Sequence, residues 1–245
     1  REHVSSGIPE LDEMLGGSGF FRGSTVLISG EAGTGKSSIA AHFVDACCKR
    51  GEKALYFAFE ESRDQIIRNM RSVGIDLGAH VESGLLWIEA ARPAMHGMEH
   101  HLTRMYKVTN EIDPTVIVMD PITDFEAISN DLQTKAMMTR MIDFMKSRHI
   151  TGLLTSMSSS GRLTSEAGIS SLVDTWLQVR NLESNGERNR ALFVLKSRGM
   201  AHSSVQRAFQ LSDRGAVVDR DVDPRSGRAA TMSGCLNCKN EAWSR

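Results

Sequence analysis

The chain has 245 residues, 40% of them hydrophobic and 24% charged, with a formal net charge of −1 at pH 7. This length can bury a full core, and the balanced charge creates no field to draw the chain to nucleic acid or an anionic membrane. No apolar stretch approaches a membrane span and no secretory leader is visible, which makes a cytoplasmic location the expectation. The chain begins at Arg1 without a methionine, so a longer parent protein stays open.

In chain order, a helix is expected at 8–15 and a strand at 25–29, where Val26-Leu27-Ile28-Ser29 is a short apolar run. The strand enters Gly30-Glu31-Ala32-Gly33-Thr34-Gly35-Lys36-Ser37, which has the G-x-x-x-x-G-K-[ST] spacing of a phosphate-binding P-loop, and a helix is expected at 37–50. Glycines let backbone N–H groups turn inward around phosphate oxygens, and the helix N-terminus adds a favourable dipole. Lys36 would sit on the β- and γ-phosphates, and the Ser37 hydroxyl would ligate Mg²⁺. The bland alternative is a glycine-rich strand–helix turn that holds nothing. With strand and helix correctly placed on its two sides, a nucleoside triphosphate site over residues 30–38, Ser38 included, is the expectation.

Gly51 closes this helix, and Cys47 and Cys48 on it read as small buried thiols. The strand expected at 54–59 ends on Glu60 and Glu61. Ligands bind at strand C-termini in open α/β sheets, so this pair can face the γ-phosphate. Adjacent like charges raise the pKa of one member, which suits it to accept a proton. The competing reading is that both only cap the helix expected at 62–72, which gives way to Gly74. A strand at 85–88 and a helix at 96–112 follow. His96, His100 and His101 on that helix read as a solvated face in preference to a metal site.

The run Thr115-Val116-Ile117-Val118-Met119 suits a strand covered on both faces. Asp120 at its end has the position of an aspartate that holds Mg²⁺ in P-loop proteins, although such a residue can also be a simple turn former. Ser37, Asp120 and Glu61 are the candidate metal side chains. The chain has 13 methionines, several of them on the helix expected at 131–147, which suggests adaptable packing.

A strand at 151–155 leads into a small polar loop at 156–165, whose one cation is Arg162 and which lacks an aromatic residue to stack a base. Nucleic acid is therefore a disfavoured partner. Strands at 174–180 and 190–196 flank Asn185-Gly186 as an antiparallel hairpin. Beyond them, Lys196 and Arg198 read from sequence alone as solvated charge on an exposed edge. From Asp219 on, charged and small polar residues replace the pattern. The expectation is one domain at 1–219 and a flexible tail at 220–245, where Cys235 and Cys238 make half a zinc site at best. The fold class is α/β: a mostly parallel twisted sheet with helices on both faces and a C-terminal antiparallel hairpin.

A family resemblance rests on an ordered set of residues. Val4-Ser5-Ser6-Gly7, Leu11-Asp12-Glu13-Met14, Gly16-Gly17 and Gly19-Phe20-Phe21 precede the P-loop; Tyr56-Phe57 with Glu60-Glu61, Ile169-Ser170-Ser171 with Asp174, and Lys196-Ser197-Arg198-Gly199 follow it. Across roughly residues 4–218 this set resembles the KaiC family of circadian clock ATPases, which are RecA-like P-loop proteins, and its details look more like the second, C-terminal ATPase domain. The resemblance implies ATP and Mg²⁺ as ligands and a ring, a homohexamer, with ATP at subunit interfaces. It implies Glu60 and Glu61 as general base, slow hydrolysis, and autophosphorylation of Ser170 or Ser171 across the subunit boundary. Serine in place of the family's threonine keeps a phosphorylatable hydroxyl and leaves the order of modification open. Lys196 and Arg198 match a pair that reaches the neighbour's γ-phosphate, as an arginine finger does. The loop at 156–165 would position the two serines, and clock or signalling proteins are the implied partners. Two alternatives stay open: a DNA-stimulated ATPase of the RecA type, and a nucleotide-gated scaffold without turnover.

Overall fold

A computed structural model describes residues 2–158, 168–184, 187–213 and 215–219. In chain order the elements are β1 (His3–Val4), α1 (Pro9–Met14), β2 (Phe20–Phe21), β3 (Thr25–Gly30), α2 (Lys36–Lys49), β4 (Ala54–Ala58), α3 (Arg63–Arg71), α4 (Leu77–Glu82) and β5 (Leu86–Ala90). There follow α5 (Met98–Ile112), β6 (Val116–Asp120), α6 (Asp131–Ser147), β7 (Thr151–Met157), β8 (Thr175–Ser184), β9 (Glu187–Ser197), β10 (Arg207–Ser212) and β11 (Gly215–Val218). Short 3-10 turns at Pro93–Met95 and Ile122–Ala127 precede α5 and follow β6.

Among the described residues nine strands form one sheet in the order β11-β10-β9-β8-β3-β7-β6-β4-β5. The six from β8 to β5 pair in parallel, whereas β9, β10 and β11 are added antiparallel. The expected hairpin is thus present as β8–β9. The tail expected at 220–245 and most of the loop at 156–165 lie outside the described residues.

The parallel strands read as unbroken apolar runs because both faces are covered. Side chains alternate between the faces, so each strand feeds two separate cores. Val26 and Ile28, Tyr56, and Val116 and Val118 pack with Ile39, Phe43 and Val44 of α2. Leu27, Leu55 and Phe57, and Ile117 and Met119 pack with Met105 of α5 and Met137, Met141 and Met145 of α6. Each such aliphatic or aromatic side chain, taken fully out of water, contributes about 1.5–3 kcal/mol. The methionines of α6 fill the second core, as the composition suggests.

The β10–β11 hairpin, absent from the sequence expectation, docks on the P-loop helix. A Cβ added at Gly35 would stand 2.7 Å from a ring carbon of Phe209 and 2.9 Å from a methyl of Leu211. His42 of α2 accepts the Ala216 N–H at Nε2, 2.8 Å away. That bond requires the neutral ring, and burial accordingly pushes the His42 pKa below its ordinary value, with Asp45 opposing and Lys49 adding to the shift. The unfolded chain therefore takes up a proton near 6.5 that the native chain resists. Stability from this contact should be complete above that pH and fall as pH drops through and below it. Thermal melts across that range should show the loss. His42→Gln, which keeps an acceptor but does not titrate there, should flatten the profile; an unchanged slope would remove His42 as the cause.

Candidate functional site

β3 ends in the middle of the sheet, and the chain must turn sharply from it into α2. Gly33 and Gly35 make that turn with φ of 73° and 98°, in the left-handed region that glycine occupies without a steric penalty. Gly30 is required for a different reason: a Cβ there would lie 2.3 Å from the carbonyl oxygen of Val179 on β8. Among the described residues no side chain caps α2 and no acidic residue sits in its first turn. Its leading amides and dipole are thereby available to an anion. Lys36 is buried and folds back over the loop, donating to the carbonyls of Gly30 and Glu31, both at 2.8 Å. Thr34 also donates to the Glu31 carbonyl, at 2.9 Å. A cleft of about 380 Å³ opens here, lined by P-loop residues from Ala32 to Ser38 together with Glu60, Asp120 and Leu211.

Asp120 ends β6 beside the P-loop, and both its oxygens are held from behind. Tyr56 of β4 donates to Oδ2 and Thr155 of β7 donates to Oδ1. Burial, and then the Asp120 charge, hold the Tyr56 phenol protonated far above the usual tyrosine range.

Glu60 lines the cleft, whereas Glu61 accepts the Asn69 amide at 2.7 Å. The helix-cap reading of this pair is corrected by the next residues: Ser62 caps α3, accepting from Gln65 N–H, while the Gln65 side chain accepts from Ser62 N–H. The glutamates are thus left for other work. Burial raises the Glu61 pKa, the Asn69 bond opposes that, and the charges of Asp120 and Glu60 raise it further. Asp124 shifts upward too, by burial and then by Glu60 and Asp120. A strand-end site crowded with carboxyls, with Lys36 as the cation in its lining, is suited to accept protons and to bind a divalent cation.

Lys196, Arg198, Ser170 and Ser171 lie elsewhere. Lys196 donates to the carbonyls of Ser170 at 2.6 Å and Val173 at 2.7 Å; Arg198 donates to the carbonyl of Ser171 at 2.9 Å. The expectation of solvated edge charge is therefore corrected for Lys196. It is half-buried, and β9 is covered farther along by β10. Burial and the neighbouring Arg198 lower its pKa, against the pull of Asp174. Asp174 accepts the Thr25 N–H at 2.9 Å, which places this cluster at the start of β3. The P-loop leaves the other end, at Gly30. Five residue steps separate the two ends, about 17 Å at the strand rise. Arg198 and Asp174 open there on a second cleft of about 800 Å³.

The remaining candidates are simpler. His96 and His100 are exposed, but the solvated-face reading fails for His101. It is buried, its Nε2 lies 3.0 Å from the Pro93 carbonyl, and its ring packs edge-on against Phe125. Among the described residues no group of three or more His, Cys, Asp or Glu could hold a metal. Cys47 and Cys48 are buried, with burial pushing their thiols up to about 11 and about 12. Cys235 and Cys238 lie outside the described residues. No helix of the described residues is long and apolar enough to cross a membrane. Tyr56, Thr155, Asn69 and Asp124 were missed by the sequence reading; polar Tyr56 and Thr155 inside apolar strands were the available signal.

A glycine-bounded turn from a central parallel strand into an uncapped helix, facing a strand-end aspartate, defines a P-loop ATPase domain of the RecA-like class. The profile described as "ATPase: KaiC" matches residues 4–223, and the chain belongs to that family. It is 45% identical to the circadian clock protein KaiC2 of Synechocystis sp. over 238 residues, 96% of this chain and 41% of the relative. It is 35% identical to KaiC3 of the same organism over 220 residues, 89% of this chain and 43% of the relative. It is also 35% identical to the circadian clock oscillator protein KaiC of Synechococcus elongatus over 218 residues, 88% and 42% respectively. The chain thus spans about two-fifths of the length of the curated relatives it matches.

Proposed function

We propose that this domain binds Mg·ATP at residues 30–38, hydrolyses it, and transfers phosphate to its own Ser170 or Ser171 across an interface between copies. One observation carries the reading. The P-loop with Asp120 stands at one end of the parallel sheet, while Lys196 and Arg198, bound to the serine segment, stand at the other. A single copy cannot bring its cation pair to its own phosphates, so the pair can serve only a neighbour. Repeating that contact head to tail closes a ring, and a homohexamer is the number the resemblance implies. The likeness to the second KaiC domain extends the reading to a clock or related signalling role.

The residues present fit the nucleotide and its metal. The P-loop amides and Lys36 would hold the β- and γ-phosphates, with Ser37 and Asp120 on the metal. Mg²⁺ supplies charge to the phosphoryl oxygens when bound. Glu60, which lines the cleft, takes the proton of the attacking water or serine hydroxyl, and Glu61 holds a second, raised-pKa carboxyl beside it. Lys196 and Arg198 must release the carbonyls of Ser170, Val173 and Ser171 to reach the neighbour, which frees the serine segment at the same moment.

Replacing both Glu60 and Glu61 by Gln should leave ATP binding intact and lower turnover by about 100-fold or more; hydrolysis at the unaltered rate would exclude them as base. Intact-mass measurement after incubation with Mg·ATP should show added phosphate that disappears in the Ser170→Ala, Ser171→Ala double variant. If no phosphate is found, the domain is an ATPase alone. The cross-copy geometry has its own test. Lys36→Ala copies and Arg198→Ala copies, each inactive alone, should regain hydrolysis when mixed, and a mixture as inactive as its parts would count against shared sites.

A further inference from the structure

Tyr56 has no place in the mechanism above, yet core packing does not account for it. It sits on the α2 face of β4 between Ala54 and Ala58, in a strand whose other residues are apolar, and it is 1% exposed. A phenol hydroxyl buried without partners is unfavourable, so an apolar residue would serve the core better. Its partner is Asp120, one of the side chains assigned above to Mg²⁺.

A phenol has one proton, and Tyr56 gives it to Asp120 Oδ2. Thr155 makes the matching bond at Asp120 Oδ1, so each carboxylate oxygen has one inward hydrogen bond and keeps its other lone pairs for the cleft. We infer that Tyr56 is a positioning residue for the divalent cation, its hydroxyl fixing one oxygen of Asp120 from behind as Thr155 fixes the other. The inference rests on the Mg·ATP reading and deepens it. Partners of this kind, one bond removed from a metal, commonly change affinity 10- to 100-fold when lost.

The test uses the full chain and Tyr56→Phe, which keeps the ring and removes only the oxygen. Calorimetry with ATP in EDTA, and then across a Mg²⁺ series, separates nucleotide from metal. The variant should bind metal-free ATP as the unaltered chain does, while its half-saturating Mg²⁺ rises about tenfold or more. Thr155→Val should raise it as well, through the other Asp120 oxygen, and supports or refutes the assignment independently if the Phe variant does not fold. An unshifted Mg²⁺ dependence would reduce Tyr56 to core filling and overturn the proposal. No ATP binding to the unaltered chain under either condition would sink the nucleotide reading and this one with it.

Discussion

The pairing of β3 between β7 and β8, parallel on both sides, is the constraint on which the rest of the structure depends. It brings Gly30 out of the sheet with Val179 on one flank and Met157 on the other. The Val179 carbonyl bars any side chain at Gly30, and the turn that follows passes through the left-handed Gly33 and Gly35. The Gly30 carbonyl then accepts both the Lys36 ammonium and the Ser158 N–H, at 2.8 and 3.0 Å, so the loop and the segment after β7 share one acceptor. The same register sets Asp120, at the end of β6, within reach of Thr155 on β7 and Tyr56 on β4. Backbone pairing, deep in the core, thus decides where the polar groups of the site converge.

Electrostatics explains why such a site belongs at strand ends. Glu60, Glu61, Asp120 and Asp124 gather where β4 and β6 stop, and the pKa values of Glu61 and Asp124 are both pushed upward. Like charges gathered this closely oppose one another, and beside them Phe59 packs against Phe125 at 4.7 Å between ring centres. The hydrogen bonds from Tyr56, Thr155 and Asn69 offset part of the desolvation of the carboxylates they touch. A divalent ion would offset more.

Much of the arrangement was legible in the residues. Gly30 to Ser37 announced the sharp strand-to-helix turn, Val116–Met119 a strand covered on both faces, and Asp120 the carboxylate that ends it. The rest was hidden for physical reasons. α4 has six residues, too few for a helical period to emerge. β10 and β11 are short, and their meaning lies in Phe209 and Leu211 covering Gly35 some 170 residues earlier in the chain. His101 shares a helix with the exposed His100, and only the turn at Pro93–Met95 folding back over it makes it a core residue. Lys196 looked like edge charge because no periodicity reveals that its ammonium satisfies two backbone carbonyls.

The opposed placement of P-loop and cation pair has a consequence for assembly energetics. On the shared-site reading, each copy would carry one socket and one plug, on different surfaces, so two copies in contact would complete one site and leave a spare of each. An open string of any length has one fewer working centre than it has members, and only circular closure makes the two numbers equal. On the shared-site reading, activity per molecule would therefore depend on dilution more steeply than binding of the first partner suggests. The circle would behave as the functional unit, although every catalytic atom belongs to a chain that folds around its own core.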